Sequence, residues 1–307
     1  MTRGFKLGYF VSAMAGGMRD GALGWRDLKV MARRCEDLGF DSFFVPDHLI
    51  FKPEGEEPHG PWECWSLLSA LAACTARMEI GTLVSCVGFR SPALLAKMAE
   101  TVDEISGGRL VLGLGAGWHE PEYEAFGYPY ERRFDRFEEA VQVIRTLLTT
   151  GQIDHEGRFY SFRNCELHPR GPRPEGLPIM IGALQSGPRM LRMAARYADQ
   201  WNGWLVHGRS HPDELPPLLG ALDAACESVD RDMGTLVKTL GIMVDQRPEG
   251  QRAGTSAAQP LTGTDEEIAA SIRQFVAHGI SHIQLVPTIQ GIDGINRLAD
   301  LFPLLES

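Results

Sequence analysis

The feature that most constrains this chain is a regular alternation of apolar, strand-like runs with amphipathic, helix-like runs from end to end. Eight such pairs can be counted. The first run, "KLGYFVS" at 6–12, is followed by "WRDLKVMARRCEDLG", whose Gly39 suits a helix C-terminus. The strand-like runs are mostly apolar rather than alternating, which is typical of parallel strands buried on both faces.

Eight is the number of strand–helix units that closes a parallel barrel, so the pattern predicts an α/β fold of the TIM (β/α)8 type. The length of 307 residues fits one such barrel, and we predict a single domain over residues 1–307. A doubly wound open sheet is the alternative. The remaining seven strands are predicted at 40–48, 78–87, 109–117, 178–184, 200–206, 236–245 and 280–288.

Several connections are longer than a barrel needs. Residues 49–61, 118–130 and 246–264 follow strand C-terminal ends, where barrel enzymes carry their chemistry. The last of these is rich in small residues and is interpreted as a lid. Residues 151–177 precede the fifth strand, and their "GQIDHEGRFYSF" resembles a β-hairpin insertion.

Composition excludes several classes of function. A formal net charge of -10 disfavours binding to nucleic acid or to an anionic membrane. The six cysteines are scattered without metal-binding spacing, which indicates buried thiols in a reducing compartment. No run of 18 apolar residues occurs, so we expect a cytoplasmic protein with no membrane segment.

Three alternating glycines, Gly113, Gly115 and Gly117, raise the question of a dinucleotide-binding loop. That motif needs a third glycine at the position of Trp118 and a helix that begins inside it, on the first strand. Here the glycines lie on the fourth strand and a proline, Pro121, follows. The sequence therefore favours a strand end at which Gly115 and Gly117 let a flat ligand approach closely.

The stretch "SGGRLVLGLGAGWHEPEYEAFGYPYERRFDRFEEAV" closely resembles the luciferase-like monooxygenase superfamily, particularly its branch that uses the deazaflavin coenzyme F420. "GFDSFFVPDHL", "EGRFYSF" and "PIMIGA" support the resemblance, which covers about residues 6–206. It implies a TIM barrel with a flavin or deazaflavin across the strand C-termini. It also implies a homodimer.

By this resemblance, Asp47 and His48 are the acidic–histidine pair beside the cofactor ring. His48 is the predicted catalytic residue, because an imidazole can give or take a proton as hydride moves. The alternative is a structural histidine. Asp47 would orient that imidazole or the cofactor tail, and its alternative is a helix-capping or solvent-facing acid.

The third strand, "GTLVSCV", aligns with a segment that holds a non-prolyl cis peptide behind the central ring in deazaflavin relatives. By position that bond joins Leu83 to Val84, and Cys86 belongs to the same cofactor-lining segment. The loop "GALQSGP" at 182–188 is where the resemblance places the cofactor phosphate. Its amides near a helix N-terminus suit an anion, the alternative being an ordinary capped turn; its predicted contacts are Gly182, Ala183, Ser186 and Gly187.

Two departures from the family pattern affect the function. Bacterial luciferases and some FMN relatives carry an arginine where Ala116 stands, which favours F420 over FMN. The sugar-phosphate dehydrogenases of the deazaflavin branch carry a catalytic glutamate where Trp118 stands, so that substrate is not carried over. His119 and Glu120 are further acid–base candidates on this rim, with exposed loop charges as the alternative.

The prediction is thus an oxidoreductase that uses reduced F420 for hydride transfer with a small organic substrate. The alternative within the family is an FMNH2-dependent monooxygenase. A metal-dependent barrel hydrolase is disfavoured, because the first strand ends without His-x-His and "HEPE" is not a zinc motif. A barrel that binds flavin without turnover is the alternative outside enzymes, and the presence of His48 speaks against it.

Overall fold

A computed structural model describes residues 3–12, 23–53, 55, 57–173, 175–182, 187–248 and 258–306. Its strands are β1 (Lys6–Phe10), β2 (Ser42–Val45), β3 (Glu79–Thr82), β4 (Ser85–Cys86), β5 (Leu110–Gly115), β6 (Gln152–Glu156), β7 (Ser161–Glu166), β8 (Ile179–Gly182), β9 (Gln200–Trp204), β10 (Val237–Asp245), β11 (Leu261–Thr262) and β12 (His282–Pro287). Its helices are α1 (Trp25–Leu38), α2 (Cys64–Cys74), α3 (Pro92–Ser106), α4 (Glu120–Phe126), α5 (Arg133–Thr150), α6 (Gly187–Tyr197), α7 (Leu215–Glu227), α8 (Asp265–Ala277), α9 (Gly291–Ala299) and α10 (Phe302–Leu305).

Eight parallel strands form a closed ring in the order β1, β2, β3, β5, β8, β9, β10 and β12. Pairing of β12 with β1 closes the ring, for example Lys6 with His282. The predicted TIM barrel is therefore confirmed, and the open-sheet alternative is wrong. Each ring strand lies within one of the eight predicted runs. The short strands β4 and β11 pair with β5 and β10 beside the ring.

The segment before the fifth ring strand contains the predicted hairpin. Strands β6 and β7 pair antiparallel to each other and form a separate two-stranded sheet. Helix α5 packs against the hairpin, whose turn is held by the Glu139 carboxylate accepting from the amides of Phe159 and Tyr160. The insertion thus extends the outer layer and leaves the ring strands continuous.

The connection 118–130 differs from its expected form, because it contains a short helix, α4. Pro121 occupies the first turn of this helix, where a missing N–H costs nothing. Gly127 then ends the helix in the left-handed conformation at φ 75°. Helix α4 carries Glu122 and Tyr123, two buried side chains of the candidate site.

The barrel interior has two layers of opposite polarity. The half towards the strand C-termini, called the mouth, is lined by an apolar bed that consists of Phe10, Phe44, Leu83, Val84, Val111, Met180, Trp204, Val206, Met243 and Val286. The opposite half holds buried polar side chains, which are Ser42, Asn202, Thr239, His282 and Gln284. Within it the Asn202 amide donates to Thr239 Oγ1 at 2.8 Å and to Gln284 Oε1 at 2.9 Å.

The helices of the described residues surround the ring, and their buried faces form one continuous apolar cluster with the outward faces of the strands. None of them combines the length and the low polarity that a membrane-crossing helix would need.

Candidate functional site

The mouth contains a histidine paired with a buried carboxylate. His48, just past the end of β2, has its Nδ1 atom 3.0 Å from Glu122 Oε1 and 3.3 Å from Oε2. The Glu122 side chain is 1% exposed and the His48 side chain 19%. A carboxylate next to Nδ1 favours a proton on that nitrogen, so Nε2 is the nitrogen that exchanges protons.

Helix α4 brings Glu122 to His48, and Tyr123 anchors the helix. The Glu122 carboxylate also accepts from the Leu49 amide at 2.9 Å, which ties the helix to the chain after His48. The fully buried Tyr123 donates its hydroxyl to the Ala116 carbonyl at 2.8 Å. A Cβ atom at Gly117 would lie 2.2 Å from that hydroxyl, and Gly117 has φ 73°. Gly117 is therefore required by the packing of Tyr123 as well as by its backbone.

Asp47 lies behind His48 at the centre of a buried polar network. Its side chain is fully buried, and Arg90 donates to both carboxylate oxygens, at 2.6 Å and 3.0 Å. Ser85 Oγ and the Cys86 amide donate to Oδ2 at 2.8 Å and 2.9 Å. Burial disfavours the charge on Arg90, but Asp47 and Glu63 outweigh it and raise the Arg90 pKa. We infer that Asp47 positions His48 by joining the ends of β2 and β4.

Cys86 faces away from this network on the other side of β4. Its Sγ atom lies 2.9 Å from the Tyr123 hydroxyl. Burial raises the pKa of the Cys86 thiol to about 12, so the thiol is neutral and unreactive at pH 7. Its contact with a cofactor stays a prediction, and its observed contact is with the Tyr123 anchor.

The expected non-prolyl cis peptide between Leu83 and Val84 is present. The Val84 side chain occupies the space next to two glycines of neighbouring strands. A Cβ atom at Gly115 would lie 2.5 Å from Val84 Cγ2, whereas one at Gly182 would lie 3.5 Å from Val84 Cγ1. Gly115 thus has a packing reason of its own, whereas a side chain at Gly182 would make only ordinary van der Waals contact with Val84. That these residues contact a cofactor stays a prediction for all four, which are Leu83, Val84, Gly115 and Gly182.

The two loops after β2 and β5 meet in an aromatic wall formed by Phe51, Trp118 and His119. The Phe51 and Trp118 ring centroids lie 4.6 Å and 5.7 Å from that of His48. Burial lowers the pKa of His119, and His48 lowers it further while Glu122 opposes the shift. His119 is therefore a neutral wall residue, and Glu120, the other acid–base candidate, is exposed.

The predicted phosphate loop is described only at its two ends. Gly182 is the last residue of β8 and Gly187 is the first residue of α6, with φ 76° and no atom within 4 Å of a Cβ placed there. Ala183 and Ser186 lie outside the described residues, as does part of the predicted lid at 246–264. The phosphate position stays a prediction.

The described mouth fits a flat, largely apolar ring with a polar edge. The apolar bed supplies a surface with Val84, Trp204 and Met243 partly open to the mouth. His48 supplies one polar group at its border. Within the described ranges, no three His, Cys, Asp or Glu side chains come together as a metal site would require.

Glu122 is the functional residue that sequence reasoning missed. Pro121 inside the first turn and Gly127 after the last are ordinary start and stop signals of a helix. Reading them as a seven-residue helix would have placed Glu122 and Tyr123 next to each other on its buried side. The partner His48 is 74 residues away in sequence, so that pairing could only come from the fold.

Comparison with known proteins identifies the family of the chain. The family model described as luciferase-like monooxygenase matches residues 5–253. The pyrimidine monooxygenase RutA of Cronobacter sakazakii is 33% identical over 210 residues, which are 67% of this chain and 59% of that relative. The chain thus spans about three-fifths of this relative's length.

Solved structures share the fold at low sequence identity. An F420-dependent secondary alcohol dehydrogenase, in complex with an F420–acetone adduct, has a TM-score of 0.80 at 20% identity and 99% coverage of both chains. Riboflavin lyase RcaE, with modified FMN and riboflavin, has a TM-score of 0.81 at 16% identity, covering 98% of this chain and 91% of its own. At these identities the likeness is one of fold, and both cofactor types occur on it.

Proposed function

The chain belongs to the luciferase-like monooxygenase family, and we propose from this that it is an oxidoreductase whose cofactor is F420. Its reaction is hydride transfer from the reduced cofactor to a small organic substrate at the mouth. The observation that carries the proposal is the His48–Glu122 pair beside the apolar bed. A proton-transferring group next to a surface for a flat ring is what a two-electron reduction needs.

The residues that would hold the cofactor are those of the bed, above all Val84, together with Gly182 next to it. The start of α6 at Gly187 would hold its phosphate, because the free amides of a helix N-terminus attract anions. When bound, a reduced deazaflavin supplies a hydride and reacts poorly with oxygen.

The side chains of the protein would hold and transfer the proton. Glu122 accepts from Nδ1 of His48 and keeps the imidazole in one orientation. In the cationic form, the imidazole would donate its Nε2 proton to the oxygen or nitrogen of a carbonyl or imine on the substrate and return to its neutral form. With the hydride that the bound cofactor would supply to the carbon of that group, the substrate would gain one hydride and one proton. Asp47 and Arg90 hold the strand end that carries His48.

One observation supports F420 rather than FMN. Ala116 stands where FMN relatives in the resemblance carry an arginine, and its side chain is buried and apolar.

A second candidate is FMN-dependent monooxygenation, which the 33% identity to a pyrimidine monooxygenase favours. In that case oxygen would be a co-substrate, and the same bed and His48 would serve a reduced flavin. The two candidates differ in the cofactor bound and in the need for oxygen.

A side-by-side titration decides between them. The purified protein is titrated with F420 and with FMN, each followed by absorbance and fluorescence, and the reduced forms are then tested with and without oxygen. We expect tighter binding of F420 and oxygen-independent oxidation of its reduced form by substrate. Binding of FMN alone, with turnover only in oxygen, would replace the proposal by the second candidate. Binding of neither would overturn both.

A further inference from the structure

We infer that Trp118 is a stacking wall of the substrate site and that the substrate therefore carries a planar, conjugated ring. The inference rests on the proposed function, because it takes the mouth beside His48 as the place of reaction. Nothing in the cofactor chemistry requires a planar substrate, so this narrows the class of substrate independently of the cofactor.

The position of Trp118 carries the inference. Trp118 is 52% exposed although it borders the His48–Glu122 pair. Its ring lies 5.7 Å from the His48 ring at 75° and 5.1 Å from the His119 ring at 59°. About half of the residue's surface is therefore accessible beside His48. An accessible indole at this position offers a face on which a planar ligand can stack.

The wall is held in place before any ligand arrives. The Trp118 carbonyl accepts from the Tyr130 hydroxyl at 3.1 Å, and the Gly117 carbonyl before it accepts from Arg133 Nε at 3.2 Å. Phe51, which is 4% exposed, stands behind the indole at a centroid distance of 6.4 Å. A fixed aromatic face loses little conformational freedom on binding, so stacking on it is efficient.

The chemistry of the neighbours defines the ligand further. A ring stacked on Trp118 would present its edge to the imidazole of His48, which can donate to or accept from a carbonyl, imine or hydroxyl group. The site therefore suits a conjugated carbocycle or heterocycle with such a group on its edge. A flexible aliphatic chain would leave the indole face in water.

Matched pairs of probes test this. Uracil and 5,6-dihydrouracil share their polar edge but differ in conjugation, as do phenol and cyclohexanol. Each is titrated by calorimetry into the full chain saturated with whichever oxidised cofactor it binds. Stacking on an aromatic face is typically worth about tenfold in affinity, so we expect the conjugated member of at least one pair to bind about tenfold tighter.

Variants assign the preference to the indole. Trp118→Leu should reduce the preference to about twofold or less, whereas Trp118→Phe should keep most of it. Phe126→Leu is the control, because Phe126 is 51% exposed at the other end of α4. A preference unchanged in Trp118→Leu, or no preference in the wild type, would overturn the inference while leaving the proposed function intact. Failure to bind either cofactor would instead overturn the proposed function.

Discussion

The two ends of the barrel each hold a histidine, and the two imidazoles are in opposite surroundings. His48 at the mouth keeps 19% of its side chain exposed and pairs with the Glu122 carboxylate. His282, the first residue of β12 at the other end, is buried and lies 2.7 Å from the Ser42 hydroxyl. Burial, with a smaller contribution from the nearby charge of Lys6, lowers the pKa of His282 to about 3.

The difference shows that the partner and the solvent decide what a histidine can do. The Ser42 hydroxyl can form a hydrogen bond with a neutral imidazole, and burial disfavours the charged form of the ring. His282 therefore stays neutral and structural. A carboxylate with access to the mouth favours a ring that can carry and release a proton. The same comparison separates the apolar half of the barrel, at the mouth, from the polar half, whose side chains are buried.

The largest expected effect is on the mouth histidine. His48→Ala should lower turnover by about 10²–10⁴-fold, the usual contribution of a general acid–base group. Cofactor affinity should fall by only about 0.5–1.5 kcal/mol, the contribution of one hydrogen bond. The measurement compares cofactor titration with single-turnover oxidation of the reduced cofactor. Equal rates in variant and wild type would make His48 a packing residue and favour a barrel that binds without turnover.

The matched control is the other histidine. His282→Gln keeps a polar group next to Ser42 and lies at the end of the barrel opposite the mouth, so the folded variant should retain the rate of the wild type. A large loss of turnover in the folded variant would show that the two ends are coupled.

The next effect concerns Glu122, which distinguishes the two histidines. Glu122→Gln retains an acceptor for His48 or for the Leu49 amide but removes the negative charge. A hydrogen bond to a charged group contributes about 1.5–3 kcal/mol, so turnover should fall about 10- to 100-fold. KM and cofactor affinity should change little. A pH–rate profile identical to that of the wild type would show that Glu122 only packs against His48.

The buried histidine at the end opposite the mouth, His282, should make the free energy of unfolding depend on pH. His282 titrates near pH 3 in the folded state and near 6.5 in the unfolded chain. Between these values the unfolded state binds more protons, so the free energy of unfolding decreases as pH falls through this window. The slope from one such group is at most about 1.4 kcal/mol per pH unit.

Urea denaturation of the wild type and of His282→Gln at pH 7.5, 6.0 and 5.0 measures this slope. The other groups facing His282, Lys6 on β1 and Glu79 on β3, are common to both proteins. The variant should therefore lose less stability on acidification. Parallel pH dependences would mean that the buried histidine is not the source.

How far the sequence predicted these two ends follows from the range of the interactions. Alternating apolar runs and helix signals are local, so all eight ring strands, the hairpin and the mouth position of His48 came from sequence. The cis peptide at Leu83 came from the family resemblance, and the structure confirms it. That Asp47 orients the imidazole or the cofactor tail stays a prediction, and its burial with Arg90 depends on a contact 43 residues away.

The remainder depended on distant packing. Gly115 and Gly117 stay predicted cofactor contacts, and the fold adds a packing reason for each glycine, because a Cβ atom there would collide with Val84 or Tyr123. The Glu122–His48 and Ser42–His282 pairs join residues 74 and 240 positions apart, which no local pattern encodes. The different surroundings of His48 and His282 could therefore not be predicted from the sequence.

The smallest expected effect tests whether the start of α6, at the mouth, binds the phosphate of the cofactor. Gly187→Asp puts a negative charge at the start of α6, where it should weaken cofactor binding by about 1–2 kcal/mol if the phosphate binds there. Gly187 has φ 76°, so any side chain adds strain. Gly187→Asn is the control, because it has nearly the same shape and tolerates the left-handed conformation equally well without a charge. The difference between the two variants, measured by titration at low and high salt, isolates the electrostatic part, which should shrink as salt screens it. Equal dissociation constants for Asp and Asn would move the phosphate away from α6 and leave only the predicted contacts with the cofactor ring.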